Sequence, residues 1–141
     1  MYFLDTNIFL RFLTQDDPIK AEYCKELLIK ASEGKIKLFT SELVMAELVW
    51  VLQSPKTYNL KPTKIKNILL PIVTIKNLHF SNKDLYPAIL DLFAEKEIDY
   101  IDAYNTVIMN SMRINTIFSY DRHFDKISTV KRLEPGEKPT N

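Results

Sequence analysis

Tyr2-Phe3-Leu4-Asp5-Thr6-Asn7-Ile8-Phe9-Leu10-Arg11-Phe12-Leu13 is the stretch on which the fold turns. Tyr2 to Leu4 form a short apolar run that reads as a strand ending at Asp5. Ile8 to Leu13 read as a short helix behind it. The same alternation continues down the chain. Asp17 and Pro18 predict a helix start, because Asp accepts from free N–H groups and proline favours the first helical position. That helix is expected from Pro18 to about Glu33, with Ile19, Tyr23, Leu27 and Ala31 as its apolar face and Gly34 as its stop. Ile36 to Thr40 read as a second strand. Thr40 or Ser41 caps a helix to about Gln53, which Ser54-Pro55 ends. A helix over Thr63–Leu70, a strand over Pro71–Lys76 and a helix from a Ser81 cap to about Lys96 follow. Asp99 to Arg113 is a further helix. Thr116–Ser119 is a strand, Arg122–Lys126 one helical turn, and Ser128–Leu133 a last strand.

Strands alternating with helices predict an α/β fold of three layers, α/β/α, around a mostly parallel central sheet. The chain has 141 residues, about one domain's worth. No repeat, linker or low-complexity tract divides it, so one domain over residues 1–133 is expected. Residues 134–141, with Pro135, Gly136 and Pro139, are expected to form a flexible tail. Hydrophobic residues make up 46% and charged residues 26%, an ordinary globular balance. The net charge of +1 gives no global basic field, so a nucleic-acid partner would need a local patch. The one cysteine, Cys24, allows no internal disulfide and reads as a small buried or half-buried apolar residue. No secretory signal or membrane-length apolar run is visible. A cytoplasmic location and no membrane partner are expected.

Ligands of open parallel sheets bind beyond the carboxyl ends of the strands. Asp5 directly follows Tyr2-Phe3-Leu4 and Asp121 follows Ile117-Phe118-Ser119-Tyr120, though an Asp there also serves as an ordinary turn or cap residue. Glu47 falls among Leu43, Val44, Leu48 and Val51 on its helix. It is either a carboxylate on a buried stripe, costly unless paired or metal-bound, or a stripe-edge residue whose head reaches solvent. Asp99 and Asp102 share one side of a helix start, where negative charge is stabilised by about 0.3–1 kcal/mol regardless of function. If these acids converge, their repulsion calls for cations. Oxygen ligands without a His or Cys cluster select Mg²⁺ or Mn²⁺. Such ions activate water and stabilise leaving oxygens in phosphate chemistry. His79 and His123 read as too few and too isolated for a zinc site or a His-based nuclease.

In order and spacing, Asp5-Thr6-Asn7, Ser41 to Glu47, Asp99-Tyr100-Ile101-Asp102-Ala103 and Ser119-Tyr120-Asp121-Arg122-His123-Phe124 resemble the PIN-domain family. The resemblance runs from Met1 to about Leu133. In length and layout the chain is similar to VapC-type toxins of prokaryotic toxin–antitoxin pairs. The resemblance places the family's four catalytic, metal-holding acids on Asp5, Glu47, Asp102 and Asp121. It places the supporting polar residues on Asn7 and Ser119, and a frequent extra acid on Asp99. Ser119 stands where Thr is commoner, and Tyr104 and Asn105 where small or apolar residues are usual. What it implies is an endoribonuclease using Mg²⁺ or Mn²⁺, an RNA substrate, a homodimer and a small antitoxin that blocks the site. Trp50, Tyr58 and Ile65 to Leu70 would supply antitoxin and dimer surface, or else monomer core. Arg11, Lys20, Arg113, Arg122, His123 and Lys126 are candidates for phosphate contact, or else solvated surface groups.

Two other classes bear on the same residues. Aspartyl phosphatases of the haloacid dehalogenase type also begin strand-Asp-x-Asp. Here the second acid is Asn7, so their general acid is missing, and no phosphate-holding Lys motif follows. A non-catalytic RNA-binding module would be expected to have lost acids, and all four are present. An RNA-processing nuclease without a toxin role keeps the same residues, and the RNA target is not written in them.

Overall fold

The computed structural model describes residues 1–136, which fall into two compact units, Met1–Pro87 and the chain from Ala88 onward. In the first unit three two-residue strands, β1 (Tyr2–Phe3), β2 (Leu38–Phe39) and β3 (Leu78–His79), form a parallel sheet in that order. Tyr2 aligns with Leu38 and Leu38 with Leu78. The ladder runs one step past the strands, from Leu4 N–H to the Phe39 carbonyl at 2.7 Å and from Thr40 N–H to the His79 carbonyl at 2.9 Å. The Thr40 hydroxyl, fully buried, donates to the Leu4 carbonyl at 3.0 Å. This ties together the carboxyl ends of β1 and β2, where Asp5 and the next helix begin.

Helices connect these strands, as parallel pairing demands. They are α1 (Thr6–Thr14), α2 (Pro18–Ser32), α3 (Glu42–Gln53) and α4 (Pro62–Val73). Local chemistry sets their starts. Asp17 accepts from Lys20 N–H with Pro18 at the first helical position, and Ser41 accepts from Val44 N–H. Gly34, at φ +79°, bonds back to the Ala31 carbonyl and closes α2. Cys24 is buried, as its sequence context indicated.

Several expectations for this unit are corrected. The buried face of α2 is Ala21, Cys24, Leu28 and Ala31, whereas Ile19 and Tyr23 are exposed. Three small residues and Leu28 make up the buried face, and the bulkier Ile19 and Tyr23 point outward. Pro71–Val73 complete α4 instead of opening a strand. Ile65, Leu69, Ile72 and Val73 are buried at helical spacing, and Pro71 near the helix end gives up one backbone bond. The strand lies later, at Leu78–His79. Finally, Ser81 does not cap a helix. Asn82, at φ +53°, leads into a 3₁₀ turn over Lys83–Leu85. Lys83 is half-buried and its ammonium donates to the carbonyls of Ile75 and Leu78; burial pushes its pKa down.

Helix α5 (Tyr86–Lys96) carries the chain into the second unit. There α6 (Tyr100–Ser111) leads to the parallel pair β4 (Thr116–Phe118) and β5 (Lys131–Leu133), in register Ile117 to Arg132. Phe93 and Tyr100 meet edge to face at 5.8 Å. Between the strands a 3₁₀ turn, Arg122–Lys126, is anchored by buried Phe124. Every strand pairing described is parallel, but the strands form a three-stranded and a two-stranded sheet. Of the expected tail, residues 137–141 lie outside the described residues. Glu134, at its start, accepts from Arg132 at 2.9 Å.

Candidate functional site

In the first unit Asp5 occupies the cap position of α1 in extended conformation, yet its side chain caps no helical N–H. Its Oδ2 instead accepts from Asn7 Nδ2 at 3.1 Å, and both residues are exposed. A cap-position Asp that declines its ordinary bond keeps its carboxylate available to something else. Thr6, next to it, is buried at 4% exposure, and its hydroxyl donates to Oε2 of Glu47. Glu47 itself is exposed. The buried side of α3 is Met45, Leu48, Val49 and Leu52, not the stripe of Leu43, Val44, Leu48 and Val51 expected from sequence. Leu43 and Trp50 flank Glu47 on the outward side, at 81% and 68% exposure. Of the two readings of Glu47, its head reaches solvent, and the contact that orients it is the Thr6 hydroxyl.

In the second unit Asp99 caps α6, accepting from Ile101 N–H at 2.8 Å. Asp102 follows in the first turn, half-buried. Burial pushes its carboxyl pKa up, and the charges of Asp121 and then Asp99 push it further. Asp121 caps the 3₁₀ turn beyond β4. The His123 backbone N–H, 2.8 Å from its Oδ1, holds the Asp121 carboxyl below its ordinary range, and the His123 ring adds to this. Ser119 Oγ accepts from Asp121 N–H at 3.0 Å, so the supporting serine acts on the aspartate's backbone.

One ligand atom each from Asp102, Asp121 and His123 lie within 4.8 Å of one another. This donor set fits a divalent cation: two carboxylates, one half-buried and electrostatically strained, and an imidazole beside them. His123 is therefore not isolated, contrary to the sequence expectation. Its spacing of two from Asp121 was the available signal. Two further residues were not singled out from sequence. Thr6 stood inside a quoted motif without a role. Arg132, 13% exposed in its side chain, donates to the Ser119 carbonyl at 2.8 Å, Asp125 Oδ1 at 3.0 Å and Glu134 Oε1 at 2.9 Å, bracing the loop that carries Asp121.

The PIN-domain family profile matches residues 2–130. The chain belongs to the PIN-domain family. No curated protein matches it. The α/β fold class expected from sequence is borne out by that match together with the helices and parallel strands described above. PIN domains are generally nucleases, which are hydrolases, and typically use divalent metal ions. Among the described residues no helix is long and apolar enough to cross a membrane. Of the phosphate-contact candidates, Arg11 is paired with Asp16 and Lys20 with Asp17. Arg113, Arg122 and Lys126 are exposed.

Proposed function

We propose that this PIN domain is an endoribonuclease that hydrolyses RNA phosphodiester bonds with Mg²⁺ or Mn²⁺ held by Asp5, Glu47, Asp102 and Asp121. The observation that carries the reading is the approach of Asp102, Asp121 and His123, because carboxylates so placed are stabilised by a cation. When bound, the cation supplies positive charge against the scissile phosphate and lowers the pKa of water. The chain's own residues do the remainder. Thr6 fixes one oxygen of Glu47, Asn7 donates to Asp5, and Ser119 and Arg132 set the backbone beneath Asp121. Exposed Arg122 and Lys126, on the turn that follows Asp121, are placed to meet phosphate oxygens.

The test is cleavage of a labelled RNA by the purified chain under Mg²⁺, Mn²⁺ and chelator. Asp5→Asn, Glu47→Gln, Asp102→Asn and Asp121→Asn are each expected to lower the rate on the order of a hundredfold. Undiminished cleavage in chelator, or by any of these variants, overturns the proposal. In length and layout the chain is similar to VapC-type toxins, and on that basis we assign it the toxin role of a type II toxin–antitoxin pair. It would act in the cytoplasm as a homodimer, with an antitoxin encoded next to it. Growth arrest on induced expression, relieved by the neighbouring gene, is the expected result. Unimpaired growth would instead fit an RNA-processing nuclease.

A further inference from the structure

Around the site, His123 stands apart. An all-carboxylate metal site has no use for an imidazole, yet His123 Nδ1 lies 3.1 Å from Asp121 Oδ1. Its ligand atom also lies within 4.8 Å of those of both Asp102 and Asp121. Ligands bind such ions at about 2.1 Å, so neighbouring ligands in an octahedron stand about 3.0 Å apart and opposite ones about 4.2 Å. The separation of Asp121 from His123 is that of neighbouring ligands on one ion. All three ligand atoms lie within 4.8 Å of one another, close to the separation of opposite ligands.

The fold favours this placement. Asp121 Oδ1 is fixed by the His123 backbone N–H as the turn begins, which sets the ring beside the carboxylate it must share an ion with. Buried Phe124 and Arg132, through Asp125, hold the same turn from the other side. Both side chains keep about half of their exposure, 56% for His123 and 46% for Asp121, so an ion can reach them. A plain surface pair of His123 with Asp121 would contribute little to stability. It would also leave unexplained why the half-buried Asp102 faces the same two groups.

We propose that His123 gives an imidazole nitrogen to the cation held by Asp102 and Asp121, and so weights this site toward Mn²⁺ and later first-row ions over Mg²⁺. The inference rests on the metal-dependent nuclease reading. Its chemical basis is that Mg²⁺ prefers oxygen, whereas imidazole suits the transition ions and binds them increasingly tightly along the series.

The test is Mn²⁺ binding to the whole chain, followed by pulsed electron paramagnetic resonance. Expected is a directly coordinated nitrogen whose signature changes on ¹⁵N-histidine labelling. It should persist in His79→Gln, which removes the chain's other histidine, and vanish in His123→Gln. The ratio of Mn²⁺ to Mg²⁺ affinity should fall on the order of tenfold in His123→Gln. If His123→Gln does not fold, the labelling of the wild-type chain decides alone. Mn²⁺ bound through Asp121, shown by its loss in Asp121→Asn, but with no histidine nitrogen overturns this inference and leaves the nuclease reading standing. A wild-type chain that binds no Mn²⁺ overturns both.

Discussion

The Thr6 hydroxyl donates to the Glu47 carboxylate across 41 positions of sequence, joining the first turn of α1 to the outward side of α3. Thr6 is buried while Glu47 is exposed, so the bond runs from a buried donor to an exposed carboxylate and engages one of its two oxygens. Thr6→Val keeps the shape and removes the donor. We expect the Mn²⁺ concentration for half-maximal cleavage to rise roughly tenfold, while stability changes by about 1 kcal/mol. Thr6→Ser should restore the metal response. Equal metal titrations for wild type and Thr6→Val would show that Glu47 needs no such positioning.

Arg132 gathers the Ser119 carbonyl, Asp125 and Glu134 onto one guanidinium. Its planar fork serves several acceptors at once, which a lysine cannot reproduce. Arg132→Ala should lower the melting midpoint by several degrees and weaken Mn²⁺ binding, because the loop carrying Asp121 loses its brace. Arg132→Lys should fall between, nearer Ala. Calorimetry and Mn²⁺ titration of the three proteins check this. Identical midpoints would mean that the contacts are incidental.

What could be read from the sequence follows from how local each feature is. Asp17 with Pro18, Ser41 and Asp99 were legible as helix starts because a cap bonds N–H groups two or three residues away. Gly34 was legible because its backbone conformation favours glycine. The buried faces of α2 and α3 were not. Several apolar stripes are available on each helix, and tertiary packing decides which is used. Residues 71–76 misled for a related reason. Ile72, Val73 and Ile75 have strand propensity, but Ile65 and Leu69 continue into Ile72 and Val73 as one helical face. At the site, the acids were legible as types and places. The Thr6 bond to Glu47 and the approach of His123 to Asp102 are tertiary facts that no local pattern carries.

Asp102 sets a pH dependence. Burial and the charges of Asp121 and Asp99 raise its folded pKa above the ordinary value of 3.8. A carboxyl whose pKa is raised by folding favours the folded state below its unfolded pKa, and loses that contribution as pH rises through the folded value. Metal-free Asp102→Asn should therefore melt above the metal-free wild type at neutral pH. The gap should close as pH falls below 3.8. Saturating Mn²⁺ should reverse the order at neutral pH, because only the wild type gains from binding. Thermal melts at several pH values, with and without Mn²⁺, test both signs. A metal-free variant that melts below wild type at neutral pH would count against this electrostatic account.

Leu43, Glu47 and Trp50 present one outward side of α3, with the carboxylate between two large exposed apolar side chains. On the toxin reading, an inhibitor must both mask acids and gain affinity from apolar contact. A segment carrying an Arg or Lys toward the acids, with apolar residues along α3, meets both needs. Arg suits the first because its guanidinium binds carboxylates two-pronged and stays charged at working pH. We expect Leu43→Asp and Trp50→Ser each to weaken binding of the neighbouring gene's product by at least about tenfold. RNA cleavage by the free chain should be unchanged, since neither side chain has a role in holding metal. Changing the partner's basic residues to Ala one at a time should locate a single residue whose loss restores cleavage in the complex. Pull-down affinities and cleavage assays of the co-purified pair provide the measurements. If both α3 variants bind normally and every basic variant of the partner still inhibits, the partner acts from another surface.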